Sequence, residues 1–206
     1  MPLSESIAPP RNVGVLLAAG AGRRYGKPKV LVEDWLGIAL GALRDGGCAE
    51  VVLVLGAASP TWDGAAPPGV TAVTAPDWCE GLSASVRAGL TEAERMRADY
   101  AVLHVIDTPD VGPAVVARVL ARATASGSGL ARAHFGDRPG HPVVLARRHW
   151  PEVLARLSGD HGAGAYLSAR SDVETVDCAD LATGRDIDTP EDVPEDAAED
   201  VPEDGP

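Results

Sequence analysis

Residues Asn12–Ala18 read NVGVLLA and run directly into Ala19-Gly20-Ala21-Gly22-Arg23-Arg24-Tyr25-Gly26-Lys27-Pro28-Lys29. An apolar run that ends on alanine and glycine predicts a buried strand feeding a turn. Glycine lets the main chain turn sharply, so several N–H groups can converge into a nest for phosphate oxygens. Arg23, Arg24, Lys27 and Lys29 add positive charge to the same loop. Two familiar phosphate loops fail on spacing. Gly20, Gly22 and Gly26 give G-x-G-x-x-x-G, one residue longer than the dinucleotide fingerprint. The ATP-type loop needs glycine where Ala21 stands and Ser or Thr where Pro28 stands, and Pro28 discourages an immediate helix.

The cations of this loop are unusual for the chain. It has sixteen arginines and only two lysines, and both lysines, Lys27 and Lys29, lie here. Where arginine is the default surface cation, a retained lysine suggests a site that wants a compact, flexible point charge, as phosphates often do. Chance placement is the alternative reading of the same count.

Outward from the loop, β and α patterns alternate. Asp34–Asp45 carries Trp35, Leu36, Ala39, Leu40 and Leu43 on one helical face, and Gly46-Gly47 ends it. Glu50–Leu55 predicts a second buried strand and Val70–Thr74 a third. Leu82–Met96 predicts a helix with Leu82, Val86, Leu90 and Ala93 inward. Asp99–Ile106 predicts a fourth strand, and Pro113–Ala123 a helix. Strands near Gly129–His134 and Pro142–Ala146, helices over His149–Leu157 and Ala163–Arg170, and a strand at Val173–Asp177 complete the pattern. Near-continuous apolar strands alternating with helices predict a three-layer α/β/α, Rossmann-like fold with a mostly parallel sheet. Ligands in such sheets bind beyond the strand carboxyl ends, which points to Gly20–Lys29, Asp107 and the loop near Gly81.

Composition limits the function. Apolar residues make up 45% and mean hydropathy is near zero, as in an ordinary globule. No apolar run approaches the roughly 20 residues of a membrane span. Met1–Arg11 lacks the features of a secretory signal. Cys48, Cys79 and Cys178 stand far apart, which disfavours zinc and a disulfide framework and fits a reduced, cytoplasmic setting. The net charge of −12 is concentrated: eight acidic residues and no basic one lie in Glu191–Asp204, leaving −4 for the remainder. With aromatics at 4%, the clustered cations and stacking rings of a nucleic-acid platform are missing. The expected partner is a small molecule. The organisation expected is an N-terminal extension over 1–11, one domain over 12–193, and a disordered acidic tail over 194–206, whose V-P-E-D repeats cannot bury a core.

The stretch L-A-A-G-x-G-x-R-x-G-x-x-K resembles the signature loop of nucleotidyltransferases that bind an NTP and transfer its nucleotidyl group. The resemblance implies a nucleotide-diphospho-sugar-transferase type of fold and a loop, through Leu17, Ala18, Ala19, Gly20 and Gly22, that wraps the triphosphate. It implies that Arg24 and Lys29 neutralise charge on the α-phosphate. Asp107, in Val105-Ile-Asp-Thr-Pro109, resembles the family's D-x-P motif, whose aspartate binds Mg²⁺. Taken alone, Asp107 reads more readily as a helix N-terminal cap. Asp186-Ile-Asp188-Thr-Pro-Glu-Asp192 resembles the family's closing motif, with Asp188 at the second metal-ligand position and Asp186 a weaker candidate. Thr189 and Pro190 also suit a plain helix start.

Further stretches resemble the molybdenum-cofactor cytidylyltransferase branch of the MobA-like NTP transferases. Trp78-Cys-Glu-Gly-Leu-Ser-Ala-Ser-Val-Arg87 is similar to a segment that contacts base and ribose, which assigns Gly81 and Ser83 to the nucleotide. Gly140-His-Pro142 is similar to a turn lining the acceptor side, and Gly159-Asp-His-Gly-Ala163 to a G-D-x-G-A segment. Ala19 matches the L-A-A-G of cytidylyl enzymes rather than the guanylyl L-A-G-G. After Lys29 the chain departs from the family, entering its first helix without the usual G-x-P-L turn. The resemblance implies transfer of CMP from CTP to the terminal phosphate of molybdopterin, with Mg²⁺ as cofactor and a molybdoenzyme or its chaperone as partner. A sugar-phosphate or other small phosphorylated acceptor, a non-catalytic cofactor-presenting module, and a nucleotide hydrolase or kinase are the alternatives.

Overall fold

The computed structural model describes residues 8–62 and 65–193. The acidic tail over 194–206 and residues 1–7 of the N-terminal extension lie outside the described residues. Seven strands form one sheet in the order β3-β2-β1-β4-β6-β5-β7. These are β1 (Asn12–Leu17), β2 (Glu50–Leu55), β3 (Val70–Thr74), β4 (Tyr100–Val105), β5 (Leu130–Phe135), β6 (Arg138–Ala146) and β7 (Glu174–Asp177). Pairings β1–β2, β1–β4, β2–β3 and β5–β7 are parallel, whereas β6 runs antiparallel to both β4 and β5. The mostly parallel expectation holds, with β6 as the exception.

The helices are α1 (Trp35–Asp45), α2 (Leu82–Arg95), α3 (Pro113–Ala125), α4 (Trp150–Arg156) and α5 (Gly164–Ser168). One core joins α1 and α3 to a sheet face through Leu40, Leu43, Val116 and Leu120. The other joins α2, α4 and α5 to the opposite face through Val86, Leu90, Trp150 and Tyr166. Strands β1 and β2 are buried on both faces, which is why they read as unbroken apolar runs. Edge strand β3 has no buried residue, only exposed and half-buried ones.

This order fixes the functional end. From β1 the chain steps outward through β2 and β3, then returns to place β4 on the other side of β1. The loops that follow β1 and β4 therefore diverge above a crevice, the location favoured for ligands in such sheets. Asp107 caps no helix: α3 begins only at Pro113, and Gly112 stands at its N-terminal cap. The segment after Lys29 is a single 3₁₀ turn, Lys29–Leu31, whose Val30 is buried. Asp34, expected inside α1, stands just before it with φ of 63°, so the helix starts one residue later.

Candidate active site

The strand end of β1 is tied to its neighbour before the loop begins. Ala18 N–H donates to Val54 O at 3.0 Å, and Ala57 N–H donates to Ala19 O at 3.0 Å. The loop then closes on itself through Gly26 N–H to Gly22 O at 2.8 Å. Gly22 has φ of +59°, and a Cβ there would stand 1.8 Å from Lys27 O. Only glycine fits, because both the conformation and the close approach exclude a side chain.

Beyond β4, Asp107 stands two residues past the strand end, and its carbonyl accepts the Ile187 N–H at 2.9 Å. Ile187 is buried in the α1/α3 core, which anchors the D-I-D segment and leaves Asp188 beside Asp107. Asp192 accepts from Thr189 N–H at 2.8 Å and from its hydroxyl at 2.9 Å, closing the 3₁₀ turn Pro190–Asp192. Both readings of this stretch thus coexist: a capped turn and a carboxylate delivered to the crevice. Asp110 adds a clamp invisible in the sequence, accepting from Thr183 N–H and hydroxyl at 2.6 Å each.

These tethers bring the candidate residues together. Lys29 Nζ lies 2.9 Å from Asp107 Oδ2 and 3.2 Å from Asp188 Oδ1. Arg24 Nη1 reaches Asp188 Oδ2 at 2.9 Å from a largely exposed position. Lys27 is exposed and takes no part. The group opens into a cleft of about 610 Å³ lined by Leu17, Ala18, Ala19, Gly20, Gly22, Arg24, Lys29, Gly81, Asp107 and Asp188, among others. Asp186 lies at the solvent rim outside that lining. Its carboxyl is nonetheless raised above the ordinary range, chiefly by the protein packed around it and then by repulsion from Asp107 and Asp188.

Ser83 departs from expectation. It does not line the cleft; Ser85 does, together with Leu82. In a helix, residues three apart share a face, so Leu82 and Ser85 point together while Ser83 turns away. Ser83 instead borders a smaller hollow on the β3 side of α2. Gly81 reaches the cleft as expected, with φ of +115°. A Cβ on Gly81 would meet Asp160 Oδ1 at 2.3 Å, so this glycine lets the 159–162 loop close the wall. Asp160, the aspartate of the Gly159–Ala163 segment singled out by resemblance, lines the cleft through that packing.

Among the described residues, no three His, Cys, Asp or Glu side chains gather as a metal cage. Asp107 and Asp188 still suit Mg²⁺, which takes one or two carboxylates and completes its octahedron with water and substrate phosphates. Two hard oxygens converging on one ammonium mark a place already organised around positive charge.

A model of the MobA-like NTP transferase domain matches residues 14–174. The chain belongs to this family. By family it is a nucleotidyltransferase, in keeping with the phosphate-type loop and paired carboxylates. Nicotine blue oxidoreductase of Paenarthrobacter nicotinovorans is 35% identical over 88% of this chain and 94% of its own. Rv0371c from Mycobacterium tuberculosis H37Rv superposes with a TM-score of 0.71 at 32% identity, covering 87% of this chain and 94% of that one. A structure of the Rv0371C complex with manganese gives 0.60 at 28%, covering 82% and 88%. No helix among the described residues is long and apolar enough to cross a membrane.

Proposed function

We propose that this protein transfers the CMP group of CTP to the terminal phosphate of molybdopterin, with Mg²⁺ as cofactor and pyrophosphate as the second product. The observation that carries the proposal is the triad of Lys29, Asp107 and Asp188 at the mouth of the Gly20–Lys29 loop. Arg24, Gly20, Gly22, Gly81 and Ala19 take the nucleotide roles already described, and Ser85 replaces Ser83. A molybdoenzyme or its chaperone is the proposed recipient of the product.

In the reaction, an acceptor phosphate oxygen attacks the α-phosphorus of CTP. The new oxygen–phosphorus bond forms as the bond to the β-phosphate oxygen breaks, and the electron pair leaves with pyrophosphate. A phosphate dianion is already nucleophilic, so no catalytic base is needed. The difficulty is bringing two anions together, since like unit charges about 4 Å apart repel by about 4 kcal/mol at an effective dielectric near 20. The loop amides and Arg24 hold the triphosphate, Lys29 presents its ammonium to the developing charge, and Asp107 and Asp188 would hold the cation. The bound Mg²⁺ would supply further screening at the phosphate oxygens. A divalent cation in this family is supported by the manganese complex of a relative.

The choice of CTP rests on the resemblance of Leu17-Ala-Ala-Gly20 to the cytidylyl loop, in which the methyl group of Ala19 would leave less room for a purine edge than glycine would. Pyrophosphate release should be measured with each NTP and purified molybdopterin, and repeated with phosphorylated sugars as acceptors. CTP with molybdopterin should be fastest. A preference for GTP would overturn the cytidylyl assignment, and a preference for a sugar phosphate would overturn the acceptor.

A second reading, oxidoreduction in the same cleft, is favoured by the name of the relative at 35% identity. Redox turnover of nicotine blue by this protein, with no pyrophosphate release from any NTP, would select it.

A further inference from the structure

Strand β3 is one edge of the sheet, and its outward-facing groups follow from its parallel pairing with β2. Gly69 O accepts from Val51 N–H at 2.8 Å, and Ala75 N–H donates to Leu55 O at 2.9 Å. Alternate residues of a parallel strand bond to the same neighbour, so Gly69, Thr71, Val73 and Ala75 turn their backbone groups to β2. Val70, Ala72 and Thr74 turn theirs outward. Val70 N–H is taken by Pro67 O at 3.0 Å, which leaves the N–H of Ala72 and Thr74 and the carbonyls of all three. Arg44 donates to Pro68 O, just short of the strand.

The opposite edge is closed. Cys178 N–H donates to His134 O at 2.8 Å, so by the same alternation the backbone of Asp177 faces outward on β7. Arg118 Nη1 caps the Asp177 carbonyl at 2.9 Å, and Arg122 pairs with Glu174 at 3.0 Å. Sheets commonly guard their edges with charge in this way, because an open edge is a template for another strand. In contrast, β3 reads Val-Thr-Ala-Val-Thr without a charge, and its Thr71, Ala72 and Thr74 are exposed. Pro67 and Pro68 before it and Pro76 after it confine the open stretch to this short window.

The free groups of this window complement themselves. Antiparallel pairing about Ala72 joins Ala72 N–H to Ala72 O of a second copy, and the reverse. Thr74 N–H then meets Val70 O on both sides, and only the bonds of the blocked Val70 N–H are lost. Thr71 falls opposite Val73, two β-branched side chains suited to a cross-strand contact, and no like charges meet. The two-fold axis stands normal to the sheet, so both α2 faces lie on the same side. Thr71 of the second copy thus joins Val73, which packs on the α2 side, at the rim of the hollow of about 280 Å³ between β3 and α2. The two closed β7 edges become the outermost strands, so assembly ends at two copies.

We propose that β3 is a dimer interface, in which two copies of this chain pair Val70–Thr74 antiparallel about a two-fold axis at Ala72. The reversal of strand direction across the axis points the two nucleotide clefts to opposite edges of the joined sheet, where neither copy covers the other.

Sedimentation of the full-length protein over a range of concentrations tests this pairing. The native chain should pass from one-chain to two-chain mass as concentration rises. Ala72→Lys and Ala72→Glu each set like charges opposite one another across the axis, about 5.5 Å apart between Cα atoms. Each variant alone should associate at least tenfold more weakly than the native chain, and an equimolar mixture of the two should recover the two-chain mass. Ala72→Pro removes an outward N–H while sparing the bonds to β2, so it should keep the native circular-dichroism spectrum and lose association; it serves if a charged variant does not fold. A native chain that stays at one-chain mass throughout overturns the proposal. Association that survives in both charged variants, or that their mixture does not restore, overturns the pairing about Ala72.

Discussion

The ammonium of Lys29 stands 2.9 Å from Oδ2 of Asp107, although 78 residues separate them in the chain. The same nitrogen also meets Asp188 at 3.2 Å. Two carboxylates gathered around one cation form an arrangement that a divalent ion bound beside phosphates can use with little rearrangement. Asp107→Asn keeps the shape and removes one charge. It should reduce pyrophosphate release by about 100-fold or more, in the range seen when a preorganised electrostatic group is lost, with an unchanged circular-dichroism spectrum. Near-native activity at saturating Mg²⁺ would remove Asp107 from the metal site.

The glycine loop separates folding from binding. A Cβ at Gly22 would lie 1.8 Å from Lys27 O, whereas a Cβ at Gly20 meets nothing within 4 Å. Gly22→Ala should therefore deform the loop, lowering both the melting temperature and nucleotide affinity. Gly20→Ala should keep the melting temperature and lose only affinity, because the added methyl group meets the incoming phosphate. Equal loss of stability in the two variants would contradict this division.

The two serines at the start of α2 make a paired comparison. Ser85 lines the cleft and Ser83 does not. Ser85→Ala should weaken nucleotide binding several-fold by calorimetry, and Ser83→Ala should leave the dissociation constant in place. The opposite ranking would return the role to Ser83.

Acid stability should depend on His104. Burial, and then the charge of His141, lower its pKa to about 3. The folded value lies below the unfolded one, so the unfolded chain takes up the proton first. Stability is then fully present above about pH 6.5, the ordinary histidine value. It falls as the pH drops toward 3, by about 1.4 kcal/mol per pH unit for each such histidine. His141, lowered to about 4 by burial and Arg132, contributes over a narrower range. Chemical denaturation at several pH values should show a shallower decline in His104→Leu. An unchanged slope would mean that His104 is protonated in the fold.

Much of the fold is legible where physics is local. Glu50–Leu55 and Val70–Thr74 fall where apolar runs bounded by glycine and proline place them. The errors arise where tertiary structure decides. Helices expected over His149–Leu157 and Ala163–Arg170 shorten to Trp150–Arg156 and Gly164–Ser168, with His149 drawn into a 3₁₀ turn and bonded to Tyr166 and the Ser128 carbonyl. The reversed direction of β6 is equally absent from its apolar pattern, since a buried strand reads alike in either direction. In the site, Gly22 and Lys29 are readable from one loop. The meeting of Asp107 with Asp188 follows from no spacing; it was implied by resemblance and is produced by Ile187 docking in the core. Asp110 carries no local signal at all, because its partner Thr183 lies 73 residues away in the chain.

If Lys29 serves the phosphoryl chemistry of a nucleotidyl transfer, pyrophosphate release from CTP and molybdopterin will separate it sharply from Lys27 in matched variants. Lys29 is largely buried between two carboxylates, whereas Lys27, two residues away, is exposed. Lys29→Ala should lower the turnover rate by about 10²–10³ and affect CTP affinity much less. Lys29→Arg should recover only part of the loss, since the wider guanidinium cannot occupy the same point. Lys27→Ala should remain within a few-fold of the native rate. Greater sensitivity at Lys27, or undiminished pyrophosphate release after removal of Lys29, would contradict a catalytic role for Lys29.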